Sequence, residues 1–293
     1  MYNEFDDIIL RSLEEDAPFG DITTDVTVAG DATASGVFRA KESGVLCGID
    51  IARRTFELVG GEVAFVKKKA DGDLLEKGDI VAEISGNAAS ILMGERTALN
   101  LMQRASGIAT ATRRAMQAVE GTQARITDTR KTMPGLRKLD KYAVRAAGAV
   151  NHRFSLSDGI LIKDNHIAAA GGIAPAVRAA KRKAPHTLKI EVEVESLDGL
   201  TTPAGCHMAA GMAIREALEA GADIIMLDNM SCALMREAVE LTAGRAVLEA
   251  SGNMGERDLA EVAATGVDLI SIGGLTHSVK ALDISLKFDM HGM

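Results

Sequence analysis

At 293 residues, 47% hydrophobic and 25% charged, the chain can bury a full core as one large α/β unit or as two domains. A net charge of −8, no tryptophan and only two tyrosines argue against a general phosphate-backbone binder and against base-stacking nucleic-acid modules. Cys47, Cys206 and Cys232 show no CxxC spacing, which fits a reduced cytoplasm, and no apolar run approaches the ~18 residues of a membrane span.

The opening stretch MYNEFDDIILRSLEEDAP is acidic and amphipathic, unlike a signal or transit peptide. Residues 3–15 read as a helix with Phe5, Ile8, Ile9 and Leu13 on one face, ended by the turn at Asp16–Gly20. Residues 33–86 carry short β-type runs: ASGVFRAK, GVLCGI, EVAFVKKKADGD and DIVAEISG. Asp71-Gly72 between two of them is a hairpin signal, and Lys67 to Lys69 read as a solvated strand face. Met93 to Ala118 is strongly helical. Within it Arg96 and Arg104 lie about 80° apart on the helix, and the local pattern reads both as surface residues.

From Ala124 the rhythm changes. Apolar strand-like runs recur, each followed by a helical segment: ARITDTR, GILIKD, LKIEVEVE, DIIMLDN, AVLEASG and DLISIGG. Gly221, Gly244 and Gly266 stand where helices should stop, supplying left-handed backbone just before the next strand. Repeated βα units imply a parallel sheet with right-handed crossovers, and no GxGxxG follows an early strand, so a barrel is favoured over a dinucleotide-binding sheet. Asp128 and Arg130, Lys163, Glu193 and Glu195, Asp228, Ser251 and Gly273 all fall at strand C-terminal ends, the rim where barrels build chemistry.

Three features of that rim carry chemistry. The first is a basic island in an acidic protein: between Arg125 and His166 there are nine Lys/Arg and two His against four Asp/Glu. Arg130-Lys131, His152-Arg153 and Lys163 adjoin structure-breaking residues and suit a site closing on a multiply charged anion. Lys138, Lys141 and Arg145, at helical spacing, read as a solvated helix face. The second is acidic. Glu191, Glu193 and Glu195 share one strand face, and Asp228 ends the next strand; they must meet cations such as Lys131 or Lys163, hold a metal, or accept from sugar hydroxyls. The third is a pair of strand–glycine–helix turns, EASGNMGERDL and SIGGLTHSVKALD, that match the recurrent barrel phosphate cradle. Phosphoribosyl transfer fits this set, and so does an isomerase or aldolase of a phosphorylated sugar.

The stretches TRKTMPGLRKLDKYAV, NHRFSLSDGILIKDNHI, EVEVESL, IIMLDN, EASG and GLTHS, preceded by GDITT and ERTALN, resemble the quinolinate phosphoribosyltransferase family nearly end to end. The resemblance implies an incomplete TIM-like (β/α) barrel of about six or seven parallel strands plus a small N-terminal α/β sandwich domain. Its domains would be 1–112, joined by the C-terminal tail 276–293, and the catalytic barrel 113–275. It implies transfer of phosphoribosyl from phosphoribosyl pyrophosphate to quinolinate in NAD biosynthesis, by a cytoplasmic Mg²⁺-using homodimer that binds neither nucleic acid nor membrane. By the same resemblance Arg130, His152, Arg153 and Lys163 would clamp the quinolinate carboxylates. Lys131 would lie between dicarboxylate and pyrophosphate, and Arg96 would enter from the other subunit. Glu193 and Asp228 would hold the ribose hydroxyls and Mg²⁺, with Lys131 a third catalytic group. Ser251, Gly252, Gly273 and His277 would hold the 5′-phosphate.

The chain departs from the family pattern in three places. Ala147-Gly148-Ala149 replaces a run of three glycines and could tighten the turn that aims His152 and Arg153. Asn253 replaces a glycine after EASG, where its tolerance of left-handed backbone predicts little damage. An apparent insertion, Thr201 to Ile214, is expected to split one helix at Pro203 and bulge outward, with Cys206 and His207 not forming a metal pair. Two other functions are open to such a chain: a phosphoribosyltransferase for a monocarboxylate such as nicotinate, and a non-catalytic nucleotide-binding paralogue. The Arg-Lys and His-Arg pairs argue against the first, and the intact NHR and KDNH stretches against the second.

Overall fold

The computed structural model describes residues 3–195 and 203–288, with the side chains of 203–209 outside the description. In chain order its helices and strands are α1 (Asp6–Asp16), α2 (Ile22–Thr27), β1 (Thr33–Ala40), β2 (Gly44–Val45), α3 (Ile49–Val59), β3 (Val63–Lys67), β4 (Leu74–Leu75), β5 (Ile80–Asn87) and α4 (Ala88–Ala118). Then come β6 (Arg125–Thr127), α5 (Arg137–Ala146), β7 (Ile160–Ile162), α6 (Asp164–Ala170), α7 (Ile173–Lys183), β8 (Ile190–Glu195), α8 (Pro203–Ala220), β9 (Ile224–Asp228) and α9 (Cys232–Thr242). The chain closes with β10 (Val247–Ser251), α10 (Leu259–Ala263), β11 (Leu269–Ser271), α11 (Gly274–His277) and β12 (Ile284–Phe288). The described residues form two compact units: those up to Arg113 with Thr132–Gly148 and those from Ser278 on, and Arg114–Lys131 with Ala149–His277.

In the first unit an antiparallel sheet runs β12-β1-β5-β3. Strand alternation puts Phe38 and Ala40 of β1 and Ile84 of β5 into a core with Ile49, Ala52 and Phe56 of α3 and Ile91, Leu99 and Met102 of α4. Phe38, Phe56 and Phe65 meet there with ring centroids 5.5–6.1 Å apart. β3 and β5 do pair antiparallel, but across a longer connection, residues 68–79, rather than a tight turn at Asp71-Gly72. Asp71 serves that connection as an acceptor instead, taking the Ile49 N–H at 3.0 Å and the Tyr142 hydroxyl at 2.5 Å.

The same unit corrects two readings of charge. Lys141 is buried, 2% exposed, beside buried Leu139 and Val144 on α5, so that helix face is not solvated along its length; Lys138 and Arg145 are exposed. Arg104 forms a bidentate pair with Asp140, Nε to Oδ1 at 2.8 Å and Nη2 to Oδ2 at 2.9 Å, and Asp140 is fully buried. The pairing spans 36 residues of sequence and leaves no local signature.

The second unit is an incomplete TIM-like (β/α) barrel. Its six parallel strands run β6-β11-β10-β9-β8-β7, and a parallel bridge between Thr127 and Val150 adds a seventh strand position beside β6. Near-continuous apolar runs, such as Ile225, Met226 and Leu227 in β9, suit strands covered on both faces. Gly221, Gly244 and Gly266 all take positive φ after α8, α9 and α10, and after α9 the left-handed backbone begins one residue earlier, at Ala243 (φ 48°). Whether the insertion splits a longer helix turns on residues 196–202, which lie outside the described residues. Pro203 is the first residue of one continuous 18-residue helix, the position where its missing N–H costs nothing. Residues Thr201 and Thr202, where an outward bulge would begin, lie outside the described residues, as do the side chains of Cys206 and His207.

Candidate active site

The site grows from the C-terminal ends of the parallel strands. Asp128, fully buried just past β6, accepts from Asn151 Nδ2 at 2.6 Å and from the His152 N–H at 2.8 Å. A buried carboxylate must be satisfied, and here it is satisfied by the segment that carries the cations. Ala147 ends α5 in right-handed geometry that any L-residue adopts, and only Gly148 takes positive φ (102°), so the alanines in that run introduce no strain. The Arg153 N–H then donates to His152 Nδ1 at 2.8 Å, and His152 Nε2 lies 3.1 Å from Glu191 Oε2 and 3.7 Å from Glu249 Oε1. Beyond it the loop folds on Asp158, which accepts from the N–H groups of Phe154 and Ser155, both at 2.7 Å. Arg153 crosses the loop to the Gly159 carbonyl at 3.0 Å.

Arg130 and Arg153 are the half-buried cations of this rim. Burial, then the charge of Arg130, lowers the Arg153 pKa, and Arg130 Nε is buried with no hydrogen-bond partner. Two guanidinium groups that repel one another, one of them with an unused donor, could receive a dianion. Lys163, exposed at the start of α6, reaches across to Glu193 and pairs with it. The cation contact foreseen for the β8 carboxylates is therefore present, with Lys163 as the partner.

The acidic side of the rim comes from β8 and β9. Glu193, Glu195 and Asp228 each offer an oxygen, all within 4.8 Å of one another. Partial desolvation and then the charges of Glu193, Asp228 and Asp164 raise the Glu195 pKa, against the lowering effect of Lys163. Like charges crowded this way are relieved by a divalent cation, and oxygen-only donors suit Mg²⁺. These residues fit the ion.

At the turn after β10, Gly252 (φ 88°) could carry no side chain: a Cβ would stand 2.2 Å from Asn229 Oδ1 and 2.7 Å from the Asn229 main-chain nitrogen. Asn253 follows in left-handed geometry, φ 49°, as its residue type allows. Gly273 precedes α11; a Cβ there would meet Lys131 Cδ at 2.9 Å and the His277 ring at 3.1 Å. Thr276 Oγ1 donates to the Lys131 carbonyl at 2.9 Å, so Lys131 and His277 flank one turn. Ser251 ends β10 in register with Asp228 of β9.

The second unit thus brings together Arg130, Lys131, His152, Arg153, Lys163, Glu193, Asp228, Ser251, Gly252, Gly273 and His277. Arg96 belongs to the other unit, exposed on α4. Sequence reasoning placed Glu191 on the inward face of β8 but missed its neighbour Glu249. Glu191 and Glu249 are 5% and 1% exposed and converge on His152; burial and then the charge of Glu191 raise the Glu249 pKa to about 7. The one available signal was a lone acid inside the apolar run AVLEAS.

An incomplete barrel whose rim joins a cation set, an acidic trio and a glycine turn defines an enzyme of the phosphorylated-sugar type. The particular family follows from comparison. Residues 108–287 match the C-terminal domain and residues 21–106 the N-terminal domain of quinolinate phosphoribosyl transferase, and the chain belongs to that family. It is 46% identical over 272 residues, 93% of this chain and 89% of the relative, to the "Probable nicotinate-nucleotide pyrophosphorylase (carboxylating)" of Bacillus subtilis. The crystal structure of NadC from Streptococcus pyogenes is 42% identical with a TM-score of 0.87, covering 97% of this chain and 95% of that one. The nicotinate-nucleotide pyrophosphorylase structure from Ehrlichia chaffeensis is 36% identical with a TM-score of 0.89, covering 99% and 100%.

Proposed function

We propose that this chain transfers the phosphoribosyl group of phosphoribosyl pyrophosphate to the ring nitrogen of quinolinate, giving nicotinate mononucleotide, pyrophosphate and CO₂. The observation that carries the reading is the meeting on one rim of two guanidinium groups, one with an unused donor, and a crowded carboxylate trio. Quinolinate is a dianion and the diphosphate carries further negative charge, so the first task is to offset repulsion as the two approach. Arg130 and Arg153 supply bidentate geometry for carboxylates. Lys163, now on Glu193, would turn to the second carboxylate and release Glu193 toward the ribose hydroxyls.

Glu193 and Asp228, with Glu195 beside them, would hold Mg²⁺, which when bound neutralises charge on the departing pyrophosphate. Lys131, flanking the phosphate turn, would follow the pyrophosphate as a mobile point charge. Ser251, Gly252, Gly273 and His277 would take the 5′-phosphate. The nitrogen–carbon bond forms as the carbon–oxygen bond to pyrophosphate breaks. The resulting quaternary ring stabilises the electron pair left at C2 when CO₂ departs, and a solvent proton then fills that position. No general base is required; the chain orients its substrates and excludes water.

We further infer a homodimer in which Arg96 completes the partner's site. Its exposure on α4 supports this reading. A cytoplasmic location is supported by the free, buried thiols of Cys47 and Cys232 and by the lack, among the described residues, of any helix long and apolar enough to cross a membrane. The test is a pair of parallel reactions with phosphoribosyl pyrophosphate and Mg²⁺, one given quinolinate and one nicotinate. Nicotinate mononucleotide from the first alone is expected; product from the second alone would replace this reading with a monocarboxylate transferase.

A further inference from the structure

We propose that Asn229 is a positioning residue for the phosphoribosyl half of the site, joining the Asp228 carboxylate to the Ser251–Gly252 turn so that the ribose and 5′-phosphate subsites keep one spacing. The inference deepens the phosphoribosyl-transfer reading and rests on it. Asn229 stands one residue past the end of β9 with left-handed backbone, φ 54°. In that conformation its N–H donates to the Ser251 carbonyl at 3.1 Å, and its side-chain Nδ2 donates to Asp228 Oδ2 at 2.7 Å. Its Oδ1 lies against Gly252, where a Cβ would stand 2.2 Å away. One residue therefore touches both halves of a receptor for a phosphorylated sugar, which β9 and β10 present in register at Asp228 and Ser251.

Residue type matters at this corner for two reasons. Most L-side chains are strained in left-handed backbone, whereas asparagine adopts it readily through local hydrogen bonding. An amide is also neutral. Asp228 belongs to the carboxylate trio with Glu193 and Glu195, and a cation held on it would compete with a divalent ion. A neutral donor on Oδ2 fixes the rotation of the carboxylate, keeps its charge, and leaves Oδ1 for the ribose or the ion. Glu193 shows the contrast, since its present partner, Lys163, is a cation. Asn229 is exposed, so its hydrogen bonds serve the rim rather than the stability of the core.

Two variants separate the parts of this role. Asn229→Gly keeps the left-handed backbone and removes the amide, while Asn229→Ala removes the amide and strains the backbone. Calorimetric titration of the full chain in Mg²⁺, with ribose 5-phosphate and separately with inorganic phosphate, reads the joined site without turnover. Asn229→Gly should weaken ribose 5-phosphate about tenfold and leave inorganic phosphate within about threefold, whereas Asn229→Ala should weaken both. In turnover, Asn229→Gly should raise the diphosphate KM about tenfold with the quinolinate KM within about threefold. Equal weakening of the two phosphates by Asn229→Gly, or no weakening of either, would overturn the proposal, as would equal rises in both KM values. Wild type that binds ribose 5-phosphate no more tightly than inorganic phosphate would overturn it too. Ribose 5-phosphate binding that depends on Asn229, in a wild type that does not convert quinolinate, would instead refute the quinolinate reading and leave the role of Asn229 standing.

Discussion

Replacing Glu249 by glutamine isolates the buried carboxyl that the strand pattern hides. The amide has the same shape and stays neutral at every pH. In wild type the carboxyl is held protonated to about pH 7 by burial first and by Glu191 second, with His152 and a hydrogen bond from Ser271 opposing and Asp128 adding to the rise. In the unfolded chain it ionises near 4.5. The folded state therefore binds the extra proton between those limits. The stabilisation is complete below pH 4.5 and is lost as pH rises through 7. Complete loss corresponds to about 3 kcal/mol, at 1.36 kcal/mol per pH unit between the two ionisations. Glu249→Gln should thus gain on wild type by about 2–3 kcal/mol between pH 5 and pH 8. Urea unfolding followed by far-ultraviolet circular dichroism suits a chain without tryptophan. A variant-minus-wild-type difference that stays flat over that range, or falls toward pH 8, would refute the argument.

Other substitutions probe other parts of the chain. Arg104→Ala strands a fully buried Asp140 carboxylate and should cost about 3–5 kcal/mol in urea unfolding, whereas a surface arginine would cost almost nothing. Arg153→Ala should raise the quinolinate KM at least tenfold, by loss of a charge-assisted contact, while Ser251→Ala acts mainly on the diphosphate substrate; equal effects on both substrates would undo that division. Asp228→Asn should shift the Mg²⁺ dependence of activity to higher concentration, and an unchanged Mg²⁺ titration would remove Asp228 from the ion. If Arg96 works across a dimer, mixing Arg96→Ala with Lys163→Ala should restore about a quarter of wild-type activity through hybrids with one intact site, and no restoration would put both residues in one subunit's site.

Much of the barrel is legible in the sequence because each βα unit repeats the same local chemistry: an apolar run, a polar strand end, a helix and a left-handed stop. The rim residues share that legibility, since Lys163, Glu193, Asp228 and Ser251 each interrupt or end an apolar run. What escaped reading depends on partners distant in sequence. Lys141 has the spacing of a solvated face, yet packing buries it. Arg104 finds Asp140 across the fold, and Glu249 meets Glu191 only when β10 and β8 are both laid in the sheet. The basic island itself was visible from composition, but its geometry depends on Asp128, a buried acid within it that pins Asn151 and His152.

The most direct measurement mixes the protein with quinolinate labelled at the 2-carboxyl, phosphoribosyl pyrophosphate and Mg²⁺, and counts products. Nicotinate mononucleotide, pyrophosphate and labelled CO₂ should appear in equal amounts. Pyrophosphate released without CO₂, or CO₂ without the mononucleotide, would contradict a site that joins the ring to the ribose before releasing the carboxylate.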